Sequence, residues 1–226
     1  MFPLYLDLTE RLSVVIGGGS VGRRKASAVL ASGGCVRLIC LEPRPADATD
    51  PRLDWRTATY TADHLDGASL VFAAAPQAVN ERVIADAKAR GIWVNAASEP
   101  RRGDFFLPAT VRRGDFVLSI STAGAAPILT QVVREHLETE FDAAFGLWVS
   151  VLAELRPLVM ERIADAERRQ SLLTRLCQWE WLDRLRREDV ERVRSAMRAE
   201  IEEATQGNRV PEDDRGPISD GNAPPG

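Results

Sequence analysis

The sequence predicts an α/β chain, with a doubly wound parallel sheet of the Rossmann type followed by a small α+β segment and a helical C-terminal region. Three observations carry this reading. Leu12, Val14, Val15 and Ile16 form a short apolar run rich in β-branched residues, as a strand buried on both faces requires. Gly17, Gly19 and Gly22 follow in G-x-G-x-x-G spacing and open a helical pattern, with Val21, Ala26, Val29 and Leu30 as its expected inward face. Beyond it, apolar runs alternate with helical stretches across short loops to about residue 100, the rhythm of βαβ units.

Residues 2–8, FPLYLDL, alternate apolar and polar after the proline and are expected along the first strand or over a sheet edge. Residues 9–11 turn into that strand. In the glycine loop the first Gly permits the tight turn, the second lets backbone approach a pyrophosphate, and the third lets helix and sheet pack closely. The free N–H groups and positive dipole end at the helix start favour phosphate. Gly17, Gly18, Gly19, Ser20, Val21 and Gly22 are therefore cofactor-binding candidates. Gly33 and Gly34 end the helix, and residues 35–41 read as a second strand with Glu42 at its end. A carboxylate there accepts hydrogen bonds from a ribose 2′-hydroxyl and repels a 2′-phosphate, so NAD is expected over NADP, a preference that Arg44 softens.

A Pro- and Asp-rich loop covers residues 43–52, and a short strand is expected around residues 56–60. Residues 70–75 form the next buried strand, whose last residues, Ala74 and Ala75, join the cofactor candidates. A helix runs from Pro76 to about Arg90 with Val79, Val83, Ile84 and Ala87 on one face, Gly91 ends it, and residues 92–95 form a further strand. Residues 104–111 and 116–121 then read as two strands joined by a hairpin turn at 112–115. A helix follows from Pro127 to Glu138, with proline in its permitted first turn. From residue 141 to about 204 the pattern is helical, with a break or kink expected at Pro157. Trp179 and Trp181 with Leu172, Leu176 and Leu185 read as core or interface side chains. Residues 206–226, rich in Gly, Pro, Asp and Asn, are expected to be disordered. The expected domains are thus 1–112 for the cofactor, a segment 113–145, a helical domain 146–205 and the tail.

At 226 residues and 45% hydrophobic content the chain can bury one substantial core and a smaller one. No unbroken apolar run approaches the roughly 20 residues of a membrane span, and the N-terminus lacks the pattern of a secretory signal. Three cysteines without metal-type spacing indicate reduced thiols and a cytoplasmic location. A net charge of −4 argues against nucleic acid as a partner. No metal-ligand cluster is visible.

These segments together resemble the precorrin-2 dehydrogenase (siroheme synthase N-terminal) family. The resemblance rests on FPLYLDL, VVIGGGSVGRRKA at 14–26, NERV at 80–83, Val94-Asn95, DFFLPATVRRG at 104–114 and SISTAGAAPIL at 119–129, and covers roughly residues 2–139. It implies NAD-dependent oxidation of precorrin-2 to sirohydrochlorin, with iron insertion at the same site in some members. It also implies a homodimer in which residues 113–145 form the dimerisation segment. The tetrapyrrole substrate carries eight carboxylates. Arg101, Arg102, Arg112 and Arg113 are therefore candidates to receive it, since guanidinium pairs carboxylate in planar bidentate geometry. Ser121 and Thr122, in the family's Ser-rich turn, are candidates to bind it or to cap the following helix.

One position departs from the family. Its strand after the NERV helix ends in Asn, two small apolar residues and the catalytic Asp, two positions before Pro. This chain reads Asn95-Ala-Ala-Ser98-Glu99-Pro100. An unassisted hydroxyl does not act as a base near neutral pH, and it is a poorer iron ligand than a carboxylate. His64 and His136 read as surface residues. Ser98, Glu99 and Asp104 are the catalytic candidates, with Glu99 able to stand in for the missing carboxylate. Iron insertion is doubtful on this reading. The alternative is a non-catalytic protein of this family that binds NAD or a tetrapyrrole as a regulator or carrier.

Overall fold

The β-branched run at Leu12–Ile16 becomes the central strand β1, because both of its faces are covered: Val14 and Ile16 look into one apolar cluster and Val15 into another. In the computed structural model, which describes residues 1–206, the chain divides into two compact units, residues 1–107 and the residues from Pro108 onward. The first unit holds five parallel strands: β1, β2 (Cys35–Cys40), β3 (Leu53–Thr57), β4 (Leu70–Ala73) and β5 (Trp93–Ala96), in the order β3-β2-β1-β4-β5. Helix α1 (Ser20–Ala31) connects β1 to β2 and α2 (Gln77–Ala89) connects β4 to β5. This is the expected Rossmann-type sheet. Register is fixed by burial, since Val15 stands between Leu38 and Phe72, and all three are buried.

Several local expectations change. Strand β3 starts at Leu53, three residues early, because Leu53 is buried beside Val36 while Tyr60 leaves the sheet to place its hydroxyl on Asp86 at 2.8 Å. The inward face of α1 is Gly22, Lys25, Ala26 and Val29, whereas Val21 is exposed. Residues 2–6 form no strand and stay exposed. Leu8 alone of the FPLYLDL segment packs against the sheet core.

In the second unit a hairpin of β6 (Ala109–Arg113) and β7 (Phe116–Ile120) precedes helix α3 (Pro127–Glu140). Residues 104–108 are not strand. The backbone of Asp104 turns to pair with Val94 instead, and Pro108 has no N–H to give a ladder. Arg112 and Arg113 lie in β6, and the turn is Gly114-Asp115. Helices α4 (Ala143–Arg162), α5 (Ala166–Leu176), α6 (Trp179–Leu185) and α7 (Val190–Gln206) surround one core that includes Leu155, Leu176, Leu182, Met197 and Ile201. Pro157 sits inside α4 without ending it. The face Trp148, Val151, Leu155 and Val159 is buried on both sides of it, and that packing outweighs a cost of about 3 kcal/mol. By length and composition α4 would also suit a membrane span, a property that a search for unbroken apolar runs does not register. The expected disordered tail lies outside the described residues.

Two backbone features of the second unit make its stability testable. A Cβ on Gly146 of α4 would come 3.1 Å from the Arg113 carbonyl, which is backbone and cannot yield easily. Gly146→Ala should therefore lower the unfolding free energy by about 1–2 kcal/mol, despite alanine's better helix propensity. Ala123 holds φ at +56° in the turn before α3, so Ala123→Gly should raise it by about 0.5–1 kcal/mol. Urea denaturation of the two variants measures both.

Candidate functional site

The switch in strand order places the site. The chain leaves β1 toward β2 and leaves β4 toward β5, in opposite directions, so a crevice opens at the carboxyl ends of β1 and β4. It is bordered by residues 17–19 after β1, 74–76 after β4 and 97–99 after β5.

The glycines of the first loop have distinct reasons to be there. Gly17 adopts φ +116°, and a Cβ on it would overlap the Ala74 carbonyl. A Cβ on Gly22 would overlap the Gly17 carbonyl. Both are demanded by the protein's own packing. Gly19 is not: a Cβ there would meet nothing within 4 Å. It is the N-cap of α1, and no side chain caps that helix end or places an acid in its first turn. Unpaired N–H groups thus border a space kept clear of side chain, which is what a pyrophosphate requires. Ser20 and Val21 are exposed at the same helix start.

Glu42 stands at the other end of this loop. A Cβ on Gly18 would lie 2.8 Å from Glu42 Oε2 and 2.7 Å from Cys40 Sγ. The Glu42 carbonyl accepts from Trp55 Nε1 (3.0 Å), Thr57 Oγ1 (3.2 Å) and Cys40 Sγ (3.4 Å), so its backbone is pinned. Its own N–H, the Cys40 thiol and nearby Arg23 hold the carboxyl below its ordinary pKa, keeping it charged. Arg44 does not soften this end: its guanidinium donates to the Ala48 carbonyl of its own loop, with Nε at 2.8 Å.

At the β4–β5 side, buried Asn80 organises the loops. Its Oδ1 accepts from Ala75 N (2.9 Å), and its Nδ2 donates to Ala75 O (2.7 Å) and to Ser98 Oγ (3.3 Å). This binds Ala74 and Ala75 of one loop to Ser98 of the next. Glu99 adjoins Ser98 and is paired with Arg102 at 3.4 Å, which also lies 3.7 Å from Glu81. Asp104 does not join them. Its carboxylate accepts from Val94 N (2.9 Å) and its own N–H donates to Val94 O (2.7 Å), near the start of β5 instead of beyond its end.

Lys25, absent from the expected site, is 9% exposed and donates to Asn95 Oδ1 at 2.6 Å; Asn95 Nδ2 in turn donates to the Phe105 carbonyl at 2.9 Å. Burial, with Arg24 nearby, pushes its pKa down. The relay ties α1 to β5 and to the segment after it. A reading of apolar periodicity passes over an inward lysine, and Asn80 was visible only as part of NERV.

Of the expected substrate residues, Arg101 and Arg102 lie in the first unit, and Arg112, Arg113, Ser121 and Thr122 in the second. Arg102 is ion-paired as above. Arg113 donates to the carbonyls of Arg112 and Glu138, both at 2.9 Å. Arg101 and Arg112 are exposed and make no ion pair among the described residues. Ser121 Oγ accepts from Ala123 N and Thr122 Oγ1 from Ala126 N, both at 3.1 Å, so the two hydroxyls shape the turn into α3. A surface hollow of about 590 Å³ lies along α5, lined by Glu167, Gln170 and Arg175. It is open and has none of the converging backbone donors of the β1–β4 crevice.

Residues 4–109 match a family model described as NAD(P)-binding. The chain is 33% identical over 184 residues to a siroheme synthase of Nitrosospira multiformis, covering 78% of this chain and 39% of that protein. It is 34% identical over 173 residues to siroheme synthase 1 of Aeromonas salmonicida, covering 74% and 37%. The chain therefore spans about two fifths of the length of these relatives. Among solved structures, SirC, a precorrin-2 dehydrogenase, superposes with a TM-score of 0.71 at 26% identity, covering 90% of this chain and 100% of the other.

The two kinds of glycine separate in experiment. Gly19→Ala should leave the melting temperature nearly unchanged and weaken NADH binding at least about tenfold. Gly22→Ala should instead destabilise the fold by about 1–3 kcal/mol. Thermal melts and NADH titration distinguish them.

Proposed function

The chain belongs to the family of precorrin-2 dehydrogenases and siroheme synthase N-terminal regions, and we propose that it oxidises precorrin-2 to sirohydrochlorin with NAD. The observation that carries this is the glycine crevice, with its clear space at Gly19, bordered by the Asn80-held segment 97–99. In the reaction precorrin-2 and NAD⁺ give sirohydrochlorin, NADH and a proton. Bound NAD supplies the two-electron hydride acceptor. The N–H groups of residues 19–22 hold the pyrophosphate, Glu42 takes the adenosine ribose, and Ala74 and Ala75 border the nicotinamide end.

Ser98 acts as a donor in this reading. Its Oγ accepts the Asn80 amide hydrogen, which leaves its own hydroxyl hydrogen to bond a substrate group and keeps it from serving as a base. Glu99 is the carboxylate of this segment and takes the proton. Asp104 fixes the start of β5 and has no part in the chemistry. Arg101, exposed near the segment of residues 97–99 and not committed to an ion pair among the described residues, receives a substrate carboxylate. Iron insertion is left out of the proposal: a serine hydroxyl is a poor exchange for the family's carboxylate at that position.

A homodimer completes the assembly. Helix α3 has no buried residue, and Ile128, Leu129 and Val132 on it are 81%, 54% and 55% exposed. A second copy covers such a surface. The three free cysteines suit a cytoplasmic protein.

The second reading, a non-catalytic NAD or tetrapyrrole binder, is favoured by Ser98 alone. Anaerobic mixing with precorrin-2 and NAD separates the two. Turnover should produce NADH and sirohydrochlorin in equal amounts, and Glu99→Gln should lower kcat about 10²-fold or more with little change in KM. NAD binding without turnover would establish the second reading, and recovery in Ser98→Asp would then locate the loss. Unchanged turnover in Glu99→Gln would remove that residue from proton transfer.

A further inference from the structure

Arg23 has no part in the oxidation described above, and its side chain is nevertheless held in place at the ribose end of the crevice. Its Nε donates to the Gly18 carbonyl at 2.7 Å, and its guanidinium carbon lies 5.4 Å from the centre of the Trp55 ring. Trp55 is anchored in turn by its Nε1 on the Glu42 carbonyl at 3.0 Å. Gly18 therefore has a guanidinium on its carbonyl, and the Glu42 carboxylate fills the space that a Cβ on Gly18 would take. Both charges thus stand beside Gly18 without forming an ion pair within 4 Å, at the end of β2 where an adenosine ribose lies in this fold. A planar guanidinium backed by an aromatic face is a natural receiver of phosphate. The more obvious candidate by sequence, Arg44, is spent on the Ala48 carbonyl.

We propose that Arg23, backed by Trp55, is a latent receiver for a 2′-phosphate, and that the Glu42 carboxylate beside it is the one group reserving the site for NAD. This rests on the NAD reading of the crevice and adds to it the residue that decides between the two cofactors. The donors converging on the Glu42 carbonyl fix its backbone, and with it the point from which its carboxylate reaches toward Gly18. Removing its charge alone should expose the cation already in position.

The test is equilibrium binding of NADH and NADPH, followed by nicotinamide fluorescence, to the intact chain and to Glu42→Gln, Arg23→Met and the double variant. A thermal melt of each checks folding. The intact chain should prefer NADH at least about tenfold, since like charges brought together at a site are strongly disfavoured. Glu42→Gln should tighten NADPH at least about tenfold while NADH changes by less, and the gain should fade at about 0.5 M salt as screening predicts. Adding Arg23→Met should cancel that gain, as loss of a charge-assisted hydrogen bond does. Arg23→Lys, which keeps the charge but not the stacked plane, should retain part of it and serves as control if Arg23→Met folds poorly. A double variant that keeps the full gain overturns the proposal, as does a Glu42→Gln variant that gains nothing. An intact chain that binds neither nucleotide overturns the cofactor reading, and this proposal with it.

Discussion

Close contact between the loops after β1 and β4 is the constraint on which the rest of the first unit depends. Gly17 approaches the Ala74 carbonyl so nearly that no side chain fits between them, and Gly22 approaches Gly17 in the same way. The two approaches draw the start of α1 down onto the sheet at the strand-order switch. They leave the uncapped helix end facing the open space at Gly19. Interior packing is close and unforgiving at such points. The crevice is thus a by-product of backbone proximity, and few side chains reach into it.

Around that contact, buried polar side chains carry positional information from one loop to the next. Asn80 uses both ends of its amide on Ala75 and has one hydrogen left for Ser98. Lys25 does a similar task from beneath, through Asn95 to the Phe105 carbonyl, while Asp104 closes the same segment onto Val94. A buried ammonium is costly unless well placed, and its lowered pKa records that cost. What these links hold steady is the segment of residues 97–99.

Much of this was legible in the sequence because it is written in local pattern. The β-branched run before Gly17, the glycine spacing and the acid after the second strand each follow from rules that act within a few residues, and the structure has them in place. What was not legible depends on contacts between distant residues. The sequence points to a strand around residues 56–60, whereas β3 starts at Leu53 and Tyr60 finds its partner in Asp86 on α2. Residues 104–108 look like strand, yet Asp104 satisfies Val94 on another element. Pro157 reads as a break, and tertiary packing of α4 overrides it. Lys25 looks like a surface residue until the fold places it over Phe72. At the ribose end, nothing in the spacing distinguishes Arg23 from Arg44. Only the hydrogen bonds separate them, since Arg44 bends to the Ala48 carbonyl of its own loop while Arg23 reaches Gly18.

The central claim is that the nucleotide lies at the carboxyl ends of β1 and β4, within reach of residue 98. The most direct measurement is an amide-resolved NMR titration of the isotopically labelled chain with NAD. The account predicts that shifts concentrate at residues 17–22, at Glu42, at Ala74 and Ala75 and at Ser98, with α5 and α6 undisturbed. Shifts gathered instead along the α5 surface, with the glycine loop silent, would contradict it.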